Sequence, residues 1–165
     1  MNRIAQFIER HFSRLESHGK SAYLWRSWLE ASVIAFLVGN ALQWVFPAGP
    51  RHDLEGLGGL HLLVLVAVIG PIFETVFFQC LPLEIAASFG LQRPVRLLLS
   101  VVLFALMHHF AGVPTVVAAG GVAGFYFAFT YERWKRESLV AGVLMTFLLH
   151  SSYNLGGILG MLFLR

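Results

Sequence analysis

Four polar side chains stand inside long apolar runs of this 165-residue chain: Glu74, His108, His150 and Asn154. A carboxylate near a bilayer centre costs at least a few kcal/mol, so an intramembrane ionisable residue is a functional candidate by default. A carboxylate beside histidines is equipment for general acid–base chemistry. Imidazole and amide N–H groups can in turn stabilise a developing oxyanion. The spacing brings these groups together in pairs. His150 and Asn154 are four apart and share one helix face, and Phe104 and His108 have the same relation. The bland reading of Glu74 is a structural ion pair. It lacks its cation, because no Lys or Arg falls in the central part of any apolar run. Bland readings are preferred elsewhere: His109 as an interhelical hydrogen-bond partner, His61 as an interfacial residue, Glu84 and Glu132 at span ends facing water. No Ser-His-Asp set is apparent, and neither HExxH nor GxSxG occurs.

The elements that must carry these groups are apolar runs at 28–47, 60–83, 95–112, 115–131 and 138–164. A transmembrane helix needs about 20 residues, so the first two suffice, the next two are short and the last can tilt or break. At a rise of about 1.5 Å per residue, Glu74 lies about 13 Å deep counted from residue 83. His108 lies about 20 Å deep from residue 95, and His150 and Asn154 about 18 and 24 Å deep from residue 138. The four therefore fall in one central slab of a hydrocarbon core about 30 Å thick. Pro71, three residues before Glu74, removes a backbone hydrogen bond and is expected to kink its helix and open a wet pocket there. Gly120 with Gly124, and Gly156 with Gly160, form GxxxG patterns read as close helix packing.

Composition agrees with a membrane bundle. Hydrophobic residues make up 57% of the chain and charged ones 13%, against about 25% charged in soluble domains; mean hydropathy is +0.70. One cysteine, Cys80, excludes an intrachain disulfide. The net charge of +3 does not point to nucleic acid, because the basic residues are dispersed between apolar runs. With the N-terminus inside, ten basic residues (Arg3, Arg10, Arg14, Lys20, Arg26, Arg93, Arg96, Arg133, Lys135 and Arg136) face the cytoplasm, and Arg51 and Arg165 lie outside. Trp25, Trp28, Trp44 and Trp134 sit near span ends, as an aromatic belt does. The expectation is an all-α, multi-pass transmembrane helical bundle of about five spans in the cell (inner) membrane, N-terminus cytoplasmic. Residues 1–27 form a basic amphipathic segment, with Ile4, Phe7, Ile8, Phe12 and Leu15 on one face, lying on the membrane or packed against the protein. Residues 28–165 form the transmembrane domain.

Three stretches then resemble the CPBP family, the CAAX-protease and bacteriocin-processing group of glutamic intramembrane endopeptidases. Its EExxxR, FxxxH and HxxxN or HxxxD motifs correspond to Glu74-Thr75-Val76-Phe77-Phe78-Gln79, Phe104-Ala105-Leu106-Met107-His108 and His150-Ser151-Ser152-Tyr153-Asn154. The likeness covers about residues 60–160. It implies a CPBP-like helical core and hydrolysis of a peptide bond in a membrane-associated or lipid-anchored protein. Glu74, assisted by His108, would activate water, and His150 and Asn154 would donate to the oxyanion. Thr75, Gln79 and Phe104 would support them from behind. Thr75 and Gln79 replace the second Glu and the Arg of the first motif, one charge of each sign, and are expected to form a hydrogen-bonded substitute for a structural ion pair. Implied partners are the lipid bilayer and a membrane protein, a C-terminal segment or a leader peptide; no cofactor is implied. Rival readings are haem ligation by His108 or His109 with His150, a divalent metal on Glu74 and two histidines, and peptide binding without cleavage by an immunity or scaffold protein.

Overall fold

A computed structural model describes residues 3–47 and 59–163 of the chain. Among them every regular element is helical. The elements are α1 (Arg3–Glu16), α2 (Lys20–Val45), α3 (Gly59–Ser88), α4 (Arg93–Met107), α5 (Val113–Trp134) and α6 (Leu139–Phe163). Four of them, α2, α3, α5 and α6, are long and apolar enough to cross a membrane. The run at 95–112, expected as a span, forms the 15-residue α4 and a 3-10 turn over His109–Ala111. At about 22 Å, α4 alone falls short of the bilayer core. Gly112, at φ 84°, then reverses the chain into α5 with a left-handed backbone that only glycine adopts without strain. Arg51 and Arg165, the two basic residues expected outside, lie beyond the described residues.

α5 is the central helix, and the small residues of its neighbours explain why. On α2 the enclosed face is Tyr23, Ser27, Ala31 and Ala35, a strict four-residue repeat that aligns one helix face. Tyr23 crosses to α5 by a hydroxyl hydrogen bond with Thr130, 3.0 Å. The opposite face of α2 exposes Phe36, Leu37 and Trp44, as a lipid-facing surface does. The expected glycine contacts divide. A Cβ on Gly120 would lie 2.4 Å from the Ala105 backbone of α4, and one on Gly124 would strike Phe104 at 2.7 Å. Gly156 leaves room for Trp28, whereas a Cβ on Gly160 would meet nothing within 4 Å.

One expectation is decided between its alternatives, and two others change. α1 packs against the protein: Phe12 and Leu15 are buried, and the Phe12 ring stacks on Phe129 at 3.9 Å. Phe7 stays exposed, and the Ile4 side chain lies outside the described ones. Trp134 is no belt residue; it is buried edge-on against Tyr23, with the Lys20 ammonium over its ring. Glu132 does not face water. It is 2% exposed and enclosed by basic side chains, Arg96 Nη2 at 3.1 Å and Lys135 Nζ at 3.2 Å. A helix end rich in arginines can enclose a carboxylate that composition alone assigns to solvent.

Candidate functional site

Glu74 sits in the middle of α3, in a helix wound unusually on both sides of it. The turns over Leu65–Ile69 and Thr75–Cys80 are π-helical, and both precede a proline that has no N–H. Such bulges often mark functional segments. In the first, the Gly70 N–H bonds the Leu65 carbonyl. The next donor would come from Pro71, so the Val66 carbonyl is left without a backbone partner. Asn154 of α6 supplies one, its Nδ2 donating to Val66 O at 2.8 Å. In the second, Pro82 cannot serve the Phe78 carbonyl, and Ser100 Oγ of α4 approaches that oxygen at 2.9 Å. The segment holding Glu74 is thus tied to α6 on one side and α4 on the other. The helix continues through Pro71, with freed carbonyls met by side chains of other helices.

The carboxylate opens onto a cavity of about 350 Å³ between α3, α5 and α6, which Glu74, His108, Tyr153 and Asn154 all line. Gly70, one turn before Glu74, lines the same cavity, and a Cβ there would press on the Leu65 carbonyl oxygen at 3.1 Å and touch Glu74 Oε1 at 3.4 Å. His150 lies behind the carboxylate, 1% exposed, with Nε2 3.4 Å from Glu74 Oε2 and Nδ1 3.4 Å from Thr75 Oγ1. The Thr75 hydroxyl and Nδ1 share a hydrogen bond, and Nε2 faces the carboxylate across the other contact. Both contacts are long, as unoccupied catalytic sites often are. Phe127 stacks on the His150 ring at 4.3 Å, and Phe104 meets it edge-on at 5.5 Å, which holds its plane.

His108 caps the C-terminal end of α4. Its Nδ1 lies 2.9 Å from the Phe104 carbonyl, an oxygen that only accepts, so Nδ1 is the protonated nitrogen and Nε2 keeps its lone pair. The Phe104 ring packs against His108 at 4.8 Å as well as against His150, so one buried phenyl orients both histidines. Gly124 exists to admit that ring.

The sequence-derived set therefore assembles in part as a cavity wall and in part behind it. Glu74, His108 and Asn154 line the cavity, while His150, Thr75 and Phe104 support it from the protein side. Thr75 and Gln79 do not substitute for an ion pair by bonding to each other. Thr75 turns to His150, and Gln79, fully enclosed, places Oε1 2.6 Å from Ser100 Oγ. The Gln79 Nε2 finds no hydrogen-bond partner among the described residues. His109 lies on the exposed turn, bonded to the Leu106 carbonyl and away from the cavity. Among the described residues no three His, Cys, Asp or Glu side chains are arranged to hold a metal ion. Sequence reasoning missed Tyr153 and Gly70 as cavity residues. The Gly70-Pro71 pair one turn before the carboxylate was the available signal for the second.

The described residues thus form a multi-pass type of helical bundle in which a carboxylate and a histidine line one cavity, with a second histidine behind them. A family model described as type II CAAX prenyl endopeptidase Rce1-like matches residues 56–156, and the chain belongs to that family. The match runs from just before α3 into α6 and includes every residue of the cavity discussed above except Gly157 and Ile158. No curated protein and no solved structure matches the chain. The family makes this a multi-pass membrane protein with an intramembrane protease kind of function.

Proposed function

We propose that the chain hydrolyses a peptide bond of a membrane-associated or lipid-anchored protein, with Glu74 as the general base. The observation that carries this reading is the convergence of Glu74, His108 and Asn154 on one cavity, with His150 oriented against the carboxylate. Glu74 takes a proton from a water that the His108 Nε2 lone pair helps to align. The resulting hydroxide adds to the scissile carbonyl carbon. As the tetrahedral oxyanion collapses, the C–N bond breaks and the proton held by Glu74 passes to the leaving amine. Preorganised donors stabilise such an oxyanion strongly in a site that excludes water. Asn154 has one N–H on Val66 and, as a primary amide, a second to offer. His150 acts in this scheme chiefly by orienting Glu74, a shift from the direct oxyanion role that the family resemblance implies.

The same reading places the protein in the cell's inner membrane, with the basic N-terminal segment 1–27 cytoplasmic and the site in the 28–165 domain. Reporter fusions after residue 163 test the orientation, and a cytoplasmic signal there would overturn it. The function is tested by mapping the termini of membrane proteins in cells carrying wild type or Glu74→Gln at equal membrane abundance. Termini that appear only with wild type are expected; identical termini would leave peptide binding without cleavage as the function.

A further inference from the structure

A cavity larger than the one at Glu74 lies away from it, at the basic end of the bundle. It is a groove of about 640 Å³ under α1, walled by Ile8, Leu97, Leu98, Val101, Phe125 and Phe129. Glu9, Arg93 and Arg136 stand at its rim. From Arg93 to Val101 the groove follows α4 for about 12 Å, close to the roughly 15 Å of hydrocarbon in one leaflet. Its shape is thus long, apolar and capped at the interface by guanidinium groups.

At the rim of this groove Arg93 is matched by a carboxylate and Arg136 is not. Arg93 pairs with Glu9, Arg133 with Glu16, Arg96 with Glu132, and Lys135 with Glu84 and Glu132. Arg136 is exposed and makes no ion pair or hydrogen bond to any described residue. Arg93 gives Nη1 to Glu9 while its guanidinium lies flat over the Phe129 ring, 4.5 Å from the centroid. Its Nε and Nη2 have no hydrogen-bond partner among the described residues. Among those residues the rim therefore carries one uncompensated positive charge beside an acyl-sized apolar groove. Basic pockets between transmembrane helices bind anionic headgroups.

We propose that this groove binds one anionic phospholipid, an acyl chain lying along α4 and the phosphodiester held at Arg136 beside Arg93. A zwitterionic lipid carries its own cation and leaves Arg136 unmatched, so the site selects net negative charge. The site is separate from the peptide-bond chemistry, and its test uses no cleavage readout.

The full chain is purified in neutral detergent, offered equal amounts of phosphatidylglycerol and phosphatidylcholine, and weighed intact by native mass spectrometry. One retained phosphatidylglycerol is expected, favoured about fivefold or more over phosphatidylcholine. Arg136→Gln abolishes the preference. Arg26→Gln, the same charge change beside His18 on α2, preserves it. Leu98→Trp, at an exposed position that tolerates bulk, lowers retention of both lipids by filling the groove. Equal retention of the two lipids by wild type overturns the proposal. So does loss of the preference in Arg26→Gln to the same degree as in Arg136→Gln, or unchanged retention by Leu98→Trp.

Discussion

At the basic end of the bundle Glu132 is almost wholly enclosed, yet Arg96, Lys135 and Arg93 lie 3.1, 3.2 and 3.8 Å from its oxygens. About 15 Å along α3 from the ion-paired Glu84, Glu74 is half-buried, and among the described residues the one ion-pairing candidate within reach is the His150 imidazole. Both carboxylates bear a desolvation cost. At Glu132 three fixed cations offset it, which gives a group that locks α4 to α5. At Glu74 the neighbours are imidazoles, one oriented by Thr75 and the other by a backbone carbonyl. Neither imposes a permanent positive charge. One carboxylate is committed to holding helices together, and the other, without a fixed counter-ion, is left to face the cavity.

The sharpest break of that comparison exchanges acid for amide at each place. Glu74→Gln removes the base and keeps the volume, so client processing should fall by on the order of 10²–10⁴-fold with expression and melting temperature unchanged. Glu132→Gln should do the reverse. It leaves Arg96 and Lys135 facing a neutral group in an enclosed site, which costs on the order of 3–5 kcal/mol when a buried partner is lost. Thermal unfolding in detergent measures it. Equal loss of stability from both substitutions would erase the distinction between a structural and a chemical carboxylate.

Gln79 sharpens the same contrast inside the core. Gln79→Arg introduces a cation at a fully enclosed position whose near neighbours are Ser100 and the Thr75–Cys80 turn. It should be strongly destabilising, by a few kcal/mol, as an unpaired buried charge. Thr75→Glu with Gln79→Arg should be better tolerated than either alone, since each new charge then has a partner. Urea or thermal unfolding of the three variants gives the order. If the double variant is as unstable as the sum of the singles, the Thr75 and Gln79 positions are not coupled.

How much of this was visible in the sequence divides along physical lines. Helical class and span positions follow from runs of apolar residues, and those were legible because hydrophobic periodicity is local. The shared depth of Glu74, His108, His150 and Asn154 was legible for the same reason, being a count of residues along each helix. What was not legible depends on winding and on neighbours. The π-helical turns of α3 rotate Glu74 relative to an ideal helix, and nothing local in Leu65–Ile69 announces them. The burial of Trp134 and Glu132 needs α1 and α2 in place around them. The length of α4 is set by where His108 caps it, although the apolar run continues past Phe110. Thr75 and Gln79 looked like each other's partners because they stand where the resembled motif has a Glu and an Arg, and each instead found a partner on another helix.

Close packing gives a smaller test that separates the two glycine patterns. Gly120→Ala forces a Cβ to within 2.4 Å of the Ala105 backbone, an overlap that must shift α4 or α5 and costs about 1–3 kcal/mol. Because α4 carries Phe104 and His108, activity should fall further than stability alone accounts for. Gly160→Ala meets no atom and should be neutral or stabilising by up to about 1 kcal/mol through helix propensity. Melting temperatures of the pair decide whether both motifs pack helices or only the first.

The smallest effect concerns Asn154 and tests whether its amide is tied to the helix of Glu74 as well as to the reaction. Asn154→Ala strips the Val66 carbonyl of its donor, and an unsatisfied buried acceptor costs about 1–3 kcal/mol. The carbonyl is without a backbone donor only because residue 71 is proline. Pro71→Ala returns an N–H at the position from which Val66 O can be served, so in that background Asn154→Ala should lose less stability, by about 1 kcal/mol. Its effect on processing should persist there, because the second amide N–H still faces the cavity in the Pro71→Ala protein and is still removed by the alanine. A double-mutant cycle in thermal unfolding, run beside client processing, separates the two contributions. Strict additivity in stability would mean that Asn154 does not compensate for Pro71, and full recovery of processing in the double variant would mean that it does nothing else.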